Sequence, residues 1–283
     1  MVKPIMILGT ASGVGKSTVT IGLCRLLKRM GYSVAPFKSQ NMSNNAHCCP
    51  NGEEMARSQA IAAYACGLAP HSDMNPVLLK YGHGIMEVIV QGHLLDAMNS
   101  AAYSHAKGDI WTHILDSYQR LAARYEALVM EGAGSPVEMN LKSGDIVNMS
   151  MAEKVDAPVL LTADIDRGGV YASVYGTLQL FTTEERARVK GIIINRCKGS
   201  PAFFADVKPT MEKITGVPVL GMMPYLPLTL EDEDSLIDPA TGAKPAQTAV
   251  AMEEQFDFLA DSMDTHLDIA QIVHIMGLEA KSK

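Results

Sequence analysis

The stretch GTASGVGKST, residues 9–18, places a lysine and a serine at the start of a helical pattern, directly behind the apolar run KPIMILG. An apolar strand, a glycine-rich turn and a new helix are the parts of a phosphate cradle. The glycines let backbone N–H groups turn inward onto phosphate oxygens, and the helix adds its positive N-terminal end. In this reading Thr10, Ser12, Gly13, Val14, Gly15 and Thr18 line the turn, Lys16 reaches the terminal phosphates and Ser17 ligates Mg2+. The spacing is one residue longer than the usual Gly, four residues, Gly-Lys-Ser/Thr. Five residues separate Gly9 from Gly15, and Thr10 stands where the first glycine is expected.

A phosphate loop needs acids for its metal and cations for a transferring phosphoryl group. VMEGAGSP, residues 129–136, puts Glu131 at the end of an apolar run, where it is placed to hold Mg2+ directly or through water. A second acid comes from NGEEMARSQAIAAYACG, in which Glu53 or Glu54 starts a helical pattern; there a carboxylate also suits the helix dipole. In PFKSQNMSNN, residues 36–45, Lys38 lies just past an apolar run and supplies a second cation beside Lys16.

The elements that must position these residues alternate. Apolar runs at 4–9, 33–37, 86–90, 127–131, 158–163, 190–195 and 217–222 read as strands, most of them continuous rather than alternating, as strands buried on both faces are. Helical patterns lie at 15–30, 53–67, about 101–125, 168–180 and 203–215. The expected fold is α/β, of the P-loop NTPase type, a mostly parallel sheet with helices on both faces. Strand C-termini in such a sheet share one edge, which gathers Lys16, Lys38 and Glu131. The organisation expected is a P-loop domain over 1–226, a Pro- and acid-rich linker over 227–249, and a helical tail over 250–283 lying outside the sheet.

Bulk composition narrows the partners. The chain has 283 residues, 47% of them hydrophobic, enough for a sizeable core. A net charge of −7 and a pI near 5.6 argue against nucleic acid or an anionic membrane as a partner. No apolar run approaches a membrane span, and no signal-peptide pattern opens the chain. Five scattered cysteines suit a reduced, cytoplasmic protein. The sequence is compatible with a homodimer.

Taken together, GTASGVGKST, APFKSQNMS and EGAGSP resemble the ATP-dependent amidoligase group that includes dethiobiotin synthetase and the cobyrinate amidases. DMNPVLLK, EGAGSPVEMNL, DIVNM, DIDRGGVYAS and GVPVLGMMPYLP narrow the likeness to the synthetase domain of the cobyric acid synthase family, over nearly all of 3–276. The longer loop is normal for that group. The resemblance implies ATP and Mg2+ as cofactors and a corrinoid as substrate, with side-chain carboxylates of the a,c-diamide converted to amides at positions b, d, e and g through acyl phosphates. It assigns Lys16, Ser17 and Lys38 to phosphate and metal, Glu54 and Glu131 to the acidic parts, and Asn195 in GIIINRCKG to the adenine ring. Asp164, Asp166 and Arg167, past the fifth strand, are candidates to orient the substrate or the acyl phosphate; a helix cap is the competing role for Asp166.

The family also carries a glutaminase domain with a nucleophilic cysteine, and none of the five cysteines here sits in such a context. Ammonia, or a glutaminase domain or subunit, is therefore the expected nitrogen source. The tail, with Phe256, Leu259, Met263 and Leu267 at amphipathic spacing, is the expected docking or linking surface for it. His47, Cys48 and Cys49 are too closely adjacent to surround one metal and read as a loop. Two alternatives stay open: a relative acting on another carboxylate, and a partition-type ATPase, which typically carries an extra lysine early in the loop where this chain has Gly-Thr-Ala-Ser.

Overall fold

A computed structural model describes residues 1–82, 85–230 and 249–281. In chain order the elements are β1 (Lys3–Gly9), α1 (Lys16–Arg29), β2 (Val34–Phe37), β3 (Gln40–Met42), β4 (Ala46–Cys48), β5 (Glu54–Ala56), α2 (Arg57–Ala65), β6 (Val77–Gly82), β7 (Ile85–Val90), β8 (His93–Met98), α3 (Ser100–Ala122), β9 (Ala127–Glu131), α4 (Met149–Lys154), β10 (Val159–Asp164), α5 (Val170–Leu180), α6 (Thr183–Arg188), β11 (Val189–Cys197), α7 (Val207–Thr215), β12 (Val219–Pro224), α8 (Ala249–His266) and α9 (Ile269–Met276).

Six strands form one parallel sheet in the order β12-β11-β10-β1-β9-β2. Its strands are apolar without alternation because both faces are covered. Within β1, Met6 and Leu8 pack into the layer holding α3, α4, α5 and α7. Ile5 and Ile7 pack into the opposite layer, with α1, α8 and α9. β1 lies between β10 and β9, so the loop that follows it opens beside the ends of both neighbours.

The run at 86–90 is a strand, β7, but not of this sheet. It belongs to a second sheet, β3-β6-β7-β8, in which β6, β7 and β8 run antiparallel. Its continuous apolar character has two separate causes. Met86, Val88 and Val90 face the main core, while Ile89 packs with Leu78 and Ala56 in a small cluster behind the sheet. The second sheet grows out of the C-terminal end of β2. The Lys38 N–H donates to Met74 O at 2.9 Å, and the Asn75 amide donates to Lys38 O at 3.1 Å.

The helix expected from residue 53 starts at Arg57. Residues 54–56 instead pair antiparallel with β4. The cause is the turn before them: Asn-Gly at 51–52 is a hairpin signal, Gly52 adopts φ 85°, and the Cys49 N–H closes the turn onto Glu53 O at 2.7 Å. His47 and Cys48 therefore lie in a strand rather than a loop.

Of the expected linker, residues 231–248 lie outside the described residues. The tail beyond it forms α8 and α9, but its apolar stripe is not a docking surface. Phe256, Leu259 and Met263 are fully buried and Leu267 nearly so, against α1 and the sheet. A side chain at Gly22 on α1 would collide with the Met263 sulfur and with Leu259, so glycine sets how closely the two helices approach. The polar flank is tied as well. The Arg25 guanidinium donates to both carboxylate oxygens of Asp257 at 2.8 and 2.9 Å and reaches Glu253 at 2.8 Å, while Arg29 bonds Asp261 at 2.7 Å. Arg25 holds the Asp257 carboxyl below the usual carboxylate range.

This packing predicts that Met263→Ala lowers stability by about 2–5 kcal/mol, as truncation of a fully buried methionine does. Val250→Ala, on the exposed side of the same helix, should stay within about 0.5 kcal/mol. Urea unfolding of the two variants checks this; equal midpoints would mean that α8 does not belong to the core.

Candidate functional site

The phosphate loop is built from the end of β1. The Thr10 N–H still pairs with Thr162 O of β10 at 3.0 Å, so the residue by which the loop is longer than usual extends the strand ladder before the turn begins. Ser12 and Gly13 follow at the surface side of the turn and Val14 is buried. Gly15 caps α1 with φ 98°. A side chain there would be strained and would overlap the Asn195 amide, so only glycine allows the loop to close against β11. The first turn of α1 contains Lys16, Ser17 and Thr18 and no acid, leaving its N-terminal end positive.

Of the four groups Lys16, Ser17, Lys38 and Glu131, three come together, Ser17 and Lys38 meeting on the Glu131 carboxylate. Glu131, at the last position of β9 and 2% exposed, accepts a hydrogen bond from Ser17 Oγ at 2.8 Å. Its same oxygen Oε1 lies 3.2 Å from Lys38 Nζ, and Lys38 is likewise 2% exposed. The pair crosses from β9 to the end of the neighbouring strand β2. A buried ion pair of this kind persists only when further hydrogen bonds satisfy it, and Ser17 supplies one. Lys16, the fourth group, is buried and lies across the loop, donating to Ala11 O at 3.2 Å and to Gly134 O at 3.1 Å. Lys16 and Lys38 bring two ammonium groups to this edge, the kind of charge a polyphosphate requires.

The donor set also suits a hard cation. A serine hydroxyl and a carboxylate at 2.8 Å are oxygen ligands of the kind Mg2+ takes alongside substrate phosphates and water. Among the described residues no group of three or more His, Cys, Asp or Glu side chains could hold a metal by itself.

Asn195 at the end of β11 is buried, and its amide donates to Val14 O at 2.9 Å. It braces the phosphate loop from outside. One amide N–H and the carbonyl remain for a further partner.

Asp164 and Asp166 form a separate group at the end of β10. The buried Asp164 carboxylate accepts the Asp166 backbone N–H at 2.8 Å and pairs with Arg196 at 2.9 Å and Arg167 at 3.5 Å. The Asp166 side chain points to Lys198 Nζ at 2.7 Å. It caps no helix, because α5 starts at Val170 behind Gly169. Glu54 is not at a helix start either. It sits in β5 and its carboxylate is paired with Lys80 at 2.6 Å.

The residues that hold the loops of the site were not singled out by type. Asn148 clamps the turn after β9, accepting the Ala133 N–H at 3.0 Å and donating to Ala133 O at 2.9 Å. The Asp145 carboxylate gathers the N–H groups of Val147, Asn148 and Ser150. Ser39, next to Lys38, donates to Ile146 O at 2.7 Å. Each bond joins positions distant in sequence or closes a turn, and an isolated Asn, Asp or Ser gives no sign of that; only the motifs DMNP and DIVNM carried it.

The cysteines stand apart. Cys24, Cys49 and Cys66 are buried and Cys48 is exposed in β4. Burial pushes the Cys49 and Cys197 thiols up to about 11. His47 meets the Tyr64 hydroxyl at 3.4 Å, and burial together with Arg57 holds it below the usual imidazole range.

Comparison with known proteins accords with this geometry. Residues 5–236 match the model of the CobQ/CobB/MinD/ParA nucleotide binding domain. The chain is 50% identical over 237 residues to a cobyric acid synthase of Klebsiella pneumoniae, covering 83% of this chain and 47% of that protein. It is 51% identical over 233 residues to that of Yersinia enterocolitica, covering 82% and 46%. Against the Citrobacter koseri protein it is 45% identical over 276 residues, covering 97% and 52%. The chain thus spans about half the length of the curated relatives it matches. With a parallel sheet, a phosphate loop and an acid-bearing neighbouring strand all in place, the chain belongs to the CobQ/CobB/MinD/ParA family of nucleotide-binding domains.

Proposed function

We propose that this chain uses ATP to activate side-chain carboxylates of a corrinoid, converting the a,c-diamide to cobyric acid by amidation at positions b, d, e and g in cobalamin biosynthesis. The observation that carries the reading is the buried Lys38–Glu131–Ser17 cluster beside Lys16, in a chain half identical to proteins named cobyric acid synthase. A carboxylate is a poor electrophile. Its oxygen attacks the γ-phosphorus, ADP leaves, and the resulting acyl phosphate has a leaving group. Ammonia then attacks the acyl carbon, phosphate departs, and the amide nitrogen loses a proton to solvent.

This chemistry asks the protein for position and charge rather than for a nucleophile. Lys16 and Lys38 approach the transferring phosphoryl group from two strands. Ser17 and Glu131 would hold Mg2+, which supplies charge neutralisation on the phosphate oxygens when bound. Asn195, already fixed to Val14, would offer its remaining donor and acceptor to the adenine edge. Asp166 would act from the rim of the same edge, exchanging its Lys198 contact for one that orients the substrate. The first 226 residues and the tail act as one synthetase unit.

Steady-state ATP hydrolysis should rise when cobyrinic acid a,c-diamide is added, and Lys16→Ala should abolish the rise while the circular dichroism spectrum is kept. Stimulated turnover that persists in the variant would remove the phosphate-loop assignment. Glu131→Gln should raise the Mg2+ concentration needed for half-maximal turnover and cut turnover about 100-fold, the scale of losing one group that stabilises transition-state charge. Glu54→Gln should change neither by more than about threefold, since that carboxylate is tied to Lys80. Because glutamine yields its nitrogen only to an activated nucleophile, and none of the five cysteines sits in the sequence context of a glutaminase nucleophile, these 283 residues should amidate with ammonium salts and not with glutamine. Product mass with each nitrogen source decides it.

A further inference from the structure

The short strand that follows Lys38 has a character that nucleotide chemistry does not require. Met42, on β3 four residues past Lys38, is 57% exposed, and Tyr81 on the adjoining β6 is 53% exposed. Met42 stands opposite Leu79 in the ladder, and Tyr81 follows on the same face, so the two side chains are diagonal neighbours. The loop after β9 also exposes Met139 and Leu141, at 59% and 62%.

The helix bonded to this strand carries an ammonium that makes no ion pair among the described residues. Lys107, one helical turn past Tyr103 on α3, donates to Gly144 O at 2.6 Å and lies 5.7 Å from the Tyr103 ring centroid. The nearest acid, Asp145, has both carboxylate oxygens engaged by backbone N–H groups. Tyr103 in turn donates to Gln40, two residues from Lys38. Gly144 is two residues from Ile146, to which Ser39 is bonded. Lys107 is therefore linked to the Lys38 region from both sides of the cleft.

We infer that Lys107 and the Met42–Tyr81 shelf form the subsite for the acceptor substrate, a broad apolar macrocycle fringed with carboxylates. The shelf lies against the ring, and Lys107 holds a peripheral carboxylate other than the one being activated. Lys107 is a positioning residue: it registers the macrocycle so that a neighbouring carboxylate meets Lys38. The inference rests on the corrinoid reading above and adds where the ring sits and which charge orients it.

The only tryptophan of the chain, Trp111, lies one turn beyond Lys107 on the same helix and reports binding by quenching, because corrinoids absorb in the range of its emission. Titration of the 283-residue chain with cobyrinic acid a,c-diamide, in the presence of Mg2+ and a non-hydrolysable ATP analogue, should give saturable quenching. Lys107→Gln should weaken that affinity about tenfold, the scale of one charge-assisted hydrogen bond, and Lys107→Arg should restore it to within about threefold. Met42→Asp should weaken it comparably. Affinity for a fluorescent ATP analogue, measured in parallel, verifies that each variant is folded. If the wild type binds the corrinoid and Lys107→Gln and Met42→Asp bind it equally well, the subsite is wrong and the amidation reading stands. If the wild type binds the nucleotide but no corrinoid, the amidation reading fails and takes the subsite with it.

Discussion

A carboxylate with 2% exposure must be neutralised where it stands, and Glu131 is neutralised by groups from two other elements. Lys38 has to arrive from the end of β2 and Ser17 from the first turn of α1. Breaking a buried ion pair by removing one partner costs about 3–5 kcal/mol. The Lys38–Glu131 contact thus ties the end of β2 to the end of β9, and the Ser17 hydrogen bond ties the phosphate loop to both.

Around that clamp the loops are held by polar side chains bonding to backbone rather than by packing. Asn148 and Asp145 shape the segment after β9, Asn75 and Ser39 the segment after β2, and Asn195 the phosphate loop itself. Apart from the Asp145 bonds, which shape the turn that carries Asn148, each lies within a few residues of Lys16, Lys38 or Glu131. The loops at this edge are thus held by polar bracing.

The central sheet was legible because six runs of apolar residues need no context to be read as doubly covered strands. Lys38 and Glu131 were legible because each directly follows or ends such a run, and Lys16 and Ser17 because they open the helix after the glycine-rich turn. The second sheet was not. β3, β4 and β5 are three residues long and contain Gln40, Asn41, His47 and Glu54, so their pairing is decided by turn geometry and by partners far along the chain. The displacement of Glu54 from a helix start to a hairpin follows from that same turn at Asn51-Gly52. The stripe Phe256–Leu259–Met263–Leu267 was read correctly as amphipathic, but periodicity names a face and not its partner. The partner is α1, and the fit depends on Gly22, whose meaning appears only when Met263 is beside it.

That fit has a temporal consequence. Arg25 and Asp257 are separated by 232 positions in the chain, yet they secure the helix whose first residue is Lys16. While the polypeptide is being made, at roughly 5–20 residues per second, the apolar flank of α1 stays uncovered until α8, more than 200 residues later, has left the ribosome. The layer that carries the phosphate loop therefore stays unfinished until α8 and α9 have been made.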